Sequence, residues 1–277
     1  GADAATDCAP LGLDRKSADY YAHFLKRHKF NAVRILFAHV GVLQNRKLEG
    51  TCSRPAAGAG GKKRPPSAHI EADHSLLGLS YVEMLISLST TLQNHGLLVV
   101  LAASALAPPT TTSAGEAAPL AGNGLWYSED VPFDMVKYSW GRLSAALCPM
   151  GNVVGADLGH WPGSDWGSDQ AATDWRLGAA ALGNHVLSSC PRWLVLVQGV
   201  GESPGAMGVP LDANTDAFDG ENLQGAETKP VELTDPTKRV YAPQTWGPDR
   251  PGATPKSYFA SIRDWGRGGV GSLWEQR

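Results

Sequence analysis

The sequence predicts an α/β fold carrying a parallel sheet, and three observations predict it. Helical stretches of 10 to 19 residues alternate with short apolar, β-rich runs. Each helical stretch leads into the strand that follows it. Long connections at about 44–75, 104–131 and 201–238 follow strands, on the side where such folds keep their chemistry. With 277 residues and 43% apolar content the chain can bury one substantial core, so a single domain over 1–277 is expected.

The elements follow in order. Asp19 to His28 places Tyr20, Phe24 and Leu25 on one side of a short helix, which runs into the β-rich stretch Ala32 to Phe37. The segment 44–75 holds Arg54-Pro55, Gly58 to Gly61 and Arg64-Pro65-Pro66 and reads as a Gly/Pro/basic loop. Ser80-Tyr81-Val82-Glu83 fits a capping box, in which the Ser hydroxyl and the Glu carboxylate satisfy free N–H groups at a helix start. Val82, Leu85, Ile86 and Leu92 mark that helix's apolar face, and Gly96 closes it before the strand Leu97 to Leu101. A helix over Pro132 to Leu147 has Phe133, Val136, Trp140 and Leu143 at helical spacing, and the strand Asn152 to Leu158 follows. A helix over Ala171 to Ser189 precedes the strand Trp193 to Val197, and Lys238 to Ala242 is a short strand candidate.

Composition excludes several function classes. A charged fraction of 18% and a formal net charge of -3 provide no field that would draw nucleic acid or anionic lipid. The longest apolar runs, such as Leu97 to Ala103, fall far short of the roughly 18 residues of a membrane span. Cys8, Cys52, Cys148 and Cys190 show no C-x-x-C spacing and no paired histidines, so no metal site and no cofactor are expected; they are either disulfides or inert buried thiols.

Read at their ends, the strands carry a specific pattern. Phe30 to Ile35 resembles GFNxVRxP, Leu97 to Ser104 stands where GLxVLLDxH is found, and Asp157 to Pro162 matches DLxNEP. Asp174-Trp175-Arg176 through Asn184, Trp193 to Gly199, Gly220 to Ala226 and Val240 to Pro243 resemble TDWRLAAERAGN, WLIFVEGV, GGNLxGA and VYSPH. In order and spacing from about Pro10 to Arg277, these segments resemble glycoside hydrolase family 5, the cellulases of endoglucanase type. The resemblance implies a TIM (β/α)8 barrel-like fold. It also implies an incomplete one of five or six strands, because Ser257 to Phe259 and Ser272 to Arg277 resemble the approach to the seventh strand and Gly1 to Asp7 is at best a trace of the first.

The departures fall on functional positions. A retaining glycosidase needs one carboxyl group as acid/base and a second as nucleophile about 5–5.5 Å away. The resemblance puts Trp161 at the acid/base position, His160 at the preceding Asn, Ala102 and Ser104 at the Asp and His of LDxH, and Gln244 at the His of VYSPH. The family's nucleophile strand has no counterpart in the sequence. Asp157 corresponds to a structural residue, and Arg34 survives from the polar floor, either as a sugar-site group or as an inward arginine paired with a carboxylate. Glu202 and Asp219 read as solvated loop carboxylates.

Aromatic faces stack on pyranose rings, so Arg34, Trp126, Trp161, Trp166 and Trp246 are the carbohydrate-binding candidates, whereas Trp140, Trp175 and Trp193 read as packing residues. In such a barrel Cys148 and Cys190 precede neighbouring strands, and Cys8 and Cys52 follow neighbouring strands. The pairings this placement allows are Cys8 with Cys52 and Cys148 with Cys190, provided the Cα separations stay below roughly 7 Å. The expectation from these losses is a non-catalytic, cellulase-like structural or interaction module, with glycan binding in the old cleft, outside the cell or on its surface. A protein partner in a larger assembly is expected to cover the open barrel edge. The alternative is an active β-glucan hydrolase (endoglucanase) whose nucleophile lies outside the given chain.

Overall fold

The computed structural model describes residues 8–9, 12–13, 15–51, 73–107, 124–159, 161, 163–200, 220 and 223–243. The strands are β1 (Cys8–Ala9), β2 (Ala32–Ala38), β3 (Gly50–Thr51), β4 (Leu98–Ala105), β5 (Val153–Asp157), β6 (Leu194–Val197) and β7 (Arg239–Tyr241). The helices are α1 (Ala18–Arg27), α2 (His39–Gln44), α3 (Tyr81–Asn94), α4 (Phe133–Leu147) and α5 (Trp175–Ser189). Five strands form one sheet in the order β2-β4-β5-β6-β7, with every pair parallel. This is the sheet of an incomplete α/β barrel. β1 and β3 form a separate two-stranded parallel pair.

Local chemistry explains where the elements start. Ser17 caps α1 by accepting from the Tyr20 N–H, and Ser80 with Glu83 forms the complete capping box of α3. α5 begins at Trp175 because the buried Asp174 carboxylate is its N-cap. The same carboxylate accepts from the N–H groups of Gly167, Asp169 and Arg176, which folds the preceding turn back onto the helix start.

α2 falls between the predicted strand Ala32 to Phe37 and the loop at about 44–75, in a stretch for which the sequence predicts no element. It has six residues, and no side chain caps its first turn. Contacts from elsewhere hold it: the Val40 N–H donates to Leu106 O, Arg142 Nη1 donates to Val42 O at 3.0 Å, and Asn45 ends the helix in the left-handed region.

The strands' alternation sorts the core. Ile35, Phe37, Val99, Leu101, Val195 and Val197 are buried with Val82 and Leu85 of α3, Val136 and Trp140 of α4, and Leu182 and Val186 of α5 in one apolar cluster. The register puts Arg34, Val100, Gly155 and Leu194 in one row of the opposite face and Leu36, Ala102, Asp157, Leu196 and Val240 in the next. Below the sheet a disulfide joins Cys148 to Cys190 with a Cα separation of 5.6 Å, and the Arg192 guanidinium donates to the carbonyls of Cys148 and Met150. The Cys8 side chain and Cys52 lie outside the described residues.

Candidate functional site

Parallel strands deliver whatever follows their C-termini to one rim. β5 ends on Asp157, whose side chain lies on the face opposite the helices with Arg34 of β2. Arg34 Nε donates to Asp157 Oδ2 at 2.7 Å. Gln198, the residue after β6, donates from Nε2 to Asp157 Oδ1 at 2.7 Å, and the Gly159 N–H donates to the same oxygen at 3.0 Å. Both carboxylate oxygens are thus engaged. The Asp157 side chain is 4% exposed, whereas that of Arg34 is 41% exposed, so the pair offers its cationic member to solvent and keeps its anionic member below. Of the five sheet strands and the residue following each, only Asp157 contributes a carboxylate.

Backbone geometry supports this arrangement. Gly159 has φ +89°, and a Cβ there would stand 2.7 Å from Ala103 O, so the turn after β5 requires glycine. That turn is what aims the Gly159 N–H back at Asp157. Ser104, near the end of β4, donates to Phe37 O at 2.9 Å, and Ala102 is fully buried. His39, at the end of β2, is buried with Nδ1 2.5 Å from Ser139 Oγ, and burial depresses its pKa to about 3.

Trp161 is 1% exposed, donates from Nε1 to Leu158 O at 3.2 Å and sits 6.3 Å from the Trp175 ring. Trp126 packs on Trp175 with ring centroids 5.4 Å apart, and Trp166 donates to Lys229 O at 2.9 Å; both are buried. These three indoles, read from sequence as sugar platforms, have no open face for a pyranose in this conformation. Trp126 and Trp161 pack against Trp175 at the start of α5, and Trp166 packs against Tyr241. His160, Gln244, Trp246, Glu202 and Asp219 lie outside the described residues.

Arg34 and Asp157 were visible in sequence, but their partnership was open. Gln198 was missed as a site residue. Its signal was present: it continues the alternation of Leu194 and Leu196 past the strand end, onto the face that carries Asp157.

No family model matches the chain. It is 27% identical over 239 residues, 86% of its length, to an endoglucanase from Paenibacillus polymyxa, of which it spans 52%. It is 35% identical over 100 residues to the major extracellular endoglucanase of Xanthomonas campestris pv. campestris, a match covering 35% of this chain and 19% of that one. The fold is similar to that of an endocellulase from Pyrococcus horikoshii solved with cellotetraose, at a TM-score of 0.71 and 22% identity, covering 96% of this chain and 68% of the other. The chain therefore spans about half the length of the Paenibacillus polymyxa endoglucanase.

These likenesses correct the expectation of a non-catalytic structural or interaction module. The proteins matched over most of this chain are named endoglucanases and endocellulases, and the hydrolase alternative agrees better with them. The expectation rested on the departures at Ala102, Ser104, His160, Trp161 and Gln244 and on the nucleophile strand, and these departures do not by themselves show inactivity. By sequence over most of its length and by fold over nearly all of it, this chain is similar to cellulases of the endoglucanase type.

Proposed function

We propose that the protein is a β-glucan hydrolase of endoglucanase type that works outside the cell, with its nucleophile outside the described residues. The observation that carries the reading is the Arg34–Asp157–Gln198 network at the strand C-terminal rim of a chain similar over 86% of its length to an endoglucanase. Arg34 is the working member. A guanidinium fixed through Nε by a buried carboxylate keeps its remaining N–H donors for sugar hydroxyls or for charge developing at the glycosidic centre. Asp157 is a positioning residue, since three donors occupy its oxygens.

An indole neither protonates a leaving oxygen nor attacks an anomeric carbon, so Trp161 takes neither carboxyl role. On this reading both roles belong to carboxylates other than Asp157. The extracellular placement rests on the Cys148–Cys190 disulfide, which persists in oxidising compartments, and on the extracellular relative. Cello-oligosaccharides are the ligand class, by analogy with the endocellulase solved with cellotetraose.

The test is chromatography of cellotetraose and a soluble β-glucan after incubation with the folded protein. Shorter cello-oligosaccharides are expected, with Arg34→Ala lowering turnover by about a hundredfold or more. Folded protein that releases no product from either substrate overturns the reading.

A further inference from the structure

β5 and β6 are neighbours in the parallel sheet, so the chain that follows each reaches the same rim. There the loop at 163–174 and the segment at 223–231 grip each other from both sides. The Trp166 indole reaches across to donate to Lys229 O at 2.9 Å, and a Cβ on Gly225 would stand 2.3 Å from Trp166 Cδ1, so the ring lies directly on that backbone. Lys229 reaches back. Its stem crosses Gly167, where a Cβ would stand 2.8 Å from Lys229 Cδ, and its ammonium donates to Gly167 O and, at 2.7 Å, to Asp169 Oδ2. Arg176 Nη2 donates to the other oxygen of Asp169 at 2.6 Å.

Asp169 has a left-handed backbone, φ +62°, which is costly for a residue with a side chain. Charge holds it there. Both of its carboxylate oxygens accept from cations, and these keep its carboxyl below the usual carboxylate range, the Lys229 hydrogen bond contributing most. The side chains of Lys229 and Asp169 are 43% and 64% exposed, so water and salt screen the pair and it adds little to global stability. Two glycines kept for close approach and a strained aspartate therefore serve to fix where the loop lies. The loop leads straight to the rim network. It leaves the sheet through Asp157, the carboxylate that holds Arg34; the Ser164 N–H donates to Trp161 O at 3.0 Å, and Trp161 donates to Leu158 O.

We propose that Lys229 is a positioning residue for a bound β-glucan: its ammonium fixes the loop after β5 against the segment after β6 and so sets the wall of the rim that the glucan chain meets. The ligand class rests on the hydrolase reading above. Lys229 acts through the loop and not through Arg34 or Asp157, so it governs binding more than chemistry, and ionic strength moves it.

Lys229→Met keeps the stem over Gly167 and removes the ammonium, whereas Lys229→Arg keeps the charge. Hydrogen exchange at the Gly167 and Asp169 amides, calorimetric titration with cellotetraose and turnover of cellotetraose are read on the full chain, at low salt and at about 1 M sodium chloride. Lys229→Met is expected to speed exchange at both amides at least about threefold. It should raise the Kd and KM for cellotetraose about three- to tenfold, hold kcat within about twofold and leave Tm unchanged. High salt should reproduce the loss in the wild-type protein without deepening it in the variant, and Lys229→Arg should recover most of it. Cellotetraose bound but not cleaved would sink the hydrolase reading and leave Kd to decide this one. The proposal is overturned if Kd or the exchange rates are indifferent to Lys229→Met, if the weaker binding merely follows a fall in Tm, or if the wild-type protein does not bind cellotetraose.

Discussion

His39 has no exposed surface, contacts Ser139 through Nδ1, and has no hydrogen-bond partner for Nε2 among the described residues. The rings of Phe37 and Trp140 stand edge-on to it at 5.3 and 6.1 Å. Burial there penalises the imidazolium and lowers the pKa from 6.5 to about 3. The unfolded chain therefore binds a proton that the folded chain refuses. The contribution is fully present above pH 6.5 and is lost as pH falls towards about 3, by up to about 1.4 kcal/mol per pH unit. Urea unfolding at pH 7 and pH 4.5 should show this loss, and His39→Gln should reduce it; an unchanged pH slope in the variant would remove His39 as its source. Trp161 poses a different residue-scale question. Its ring is buried under the β5 turn, so Trp161→Ala should cost about 3–5 kcal/mol in the same measurement. A ring that mainly lined an open cleft would cost far less.

At the scale of elements, α3 and α5 differ in how much of them was legible. The capping box of α3 is a local device, with both partners inside four consecutive residues, and the chain can be read for it directly. The start of α5 depends on Asp174 receiving N–H groups from a turn folded back on it, so periodicity alone places the boundary several residues early. α2 is the extreme case, since its holding contacts reach Leu106 and Arg142. Gly178 of α5 shows how packing reverses a local rule. Alanine normally favours a helix interior over glycine, but a Cβ at 178 would meet the Trp126 ring at 2.5 Å. Gly178→Ala is therefore expected to destabilise by about 1–3 kcal/mol, read by chemical denaturation. An increase in stability would show that the indole yields without loss.

At the scale of the molecule, the Cys148–Cys190 bridge ties the end of α4 to the end of α5 across 42 residues of chain. Closing a loop of that length removes unfolded-state entropy worth about 4 kcal/mol in the chain-entropy model. The double variant Cys148→Ser, Cys190→Ser should lose about that much in denaturant unfolding. A loss well under about 1 kcal/mol would mean that the unfolded chain keeps these segments together.

What the sequence determined by itself is the architecture. Helical and strand periods alternate, glycines and prolines punctuate them, and strand-end motifs in order resemble those of cellulases, because all these signals lie within a few neighbouring residues. Tertiary structure decided which of the singled-out residues face solvent and which face each other. Three tryptophans that loop position makes look like platforms are buried. Arg34, equally open to a sugar or a carboxylate on sequence, is joined to Asp157 across 123 residues of chain, and Gln198 completes the contact. Burial and partnership across such separations depend on the register of parallel strands, which sets faces and neighbours only when the sheet is assembled.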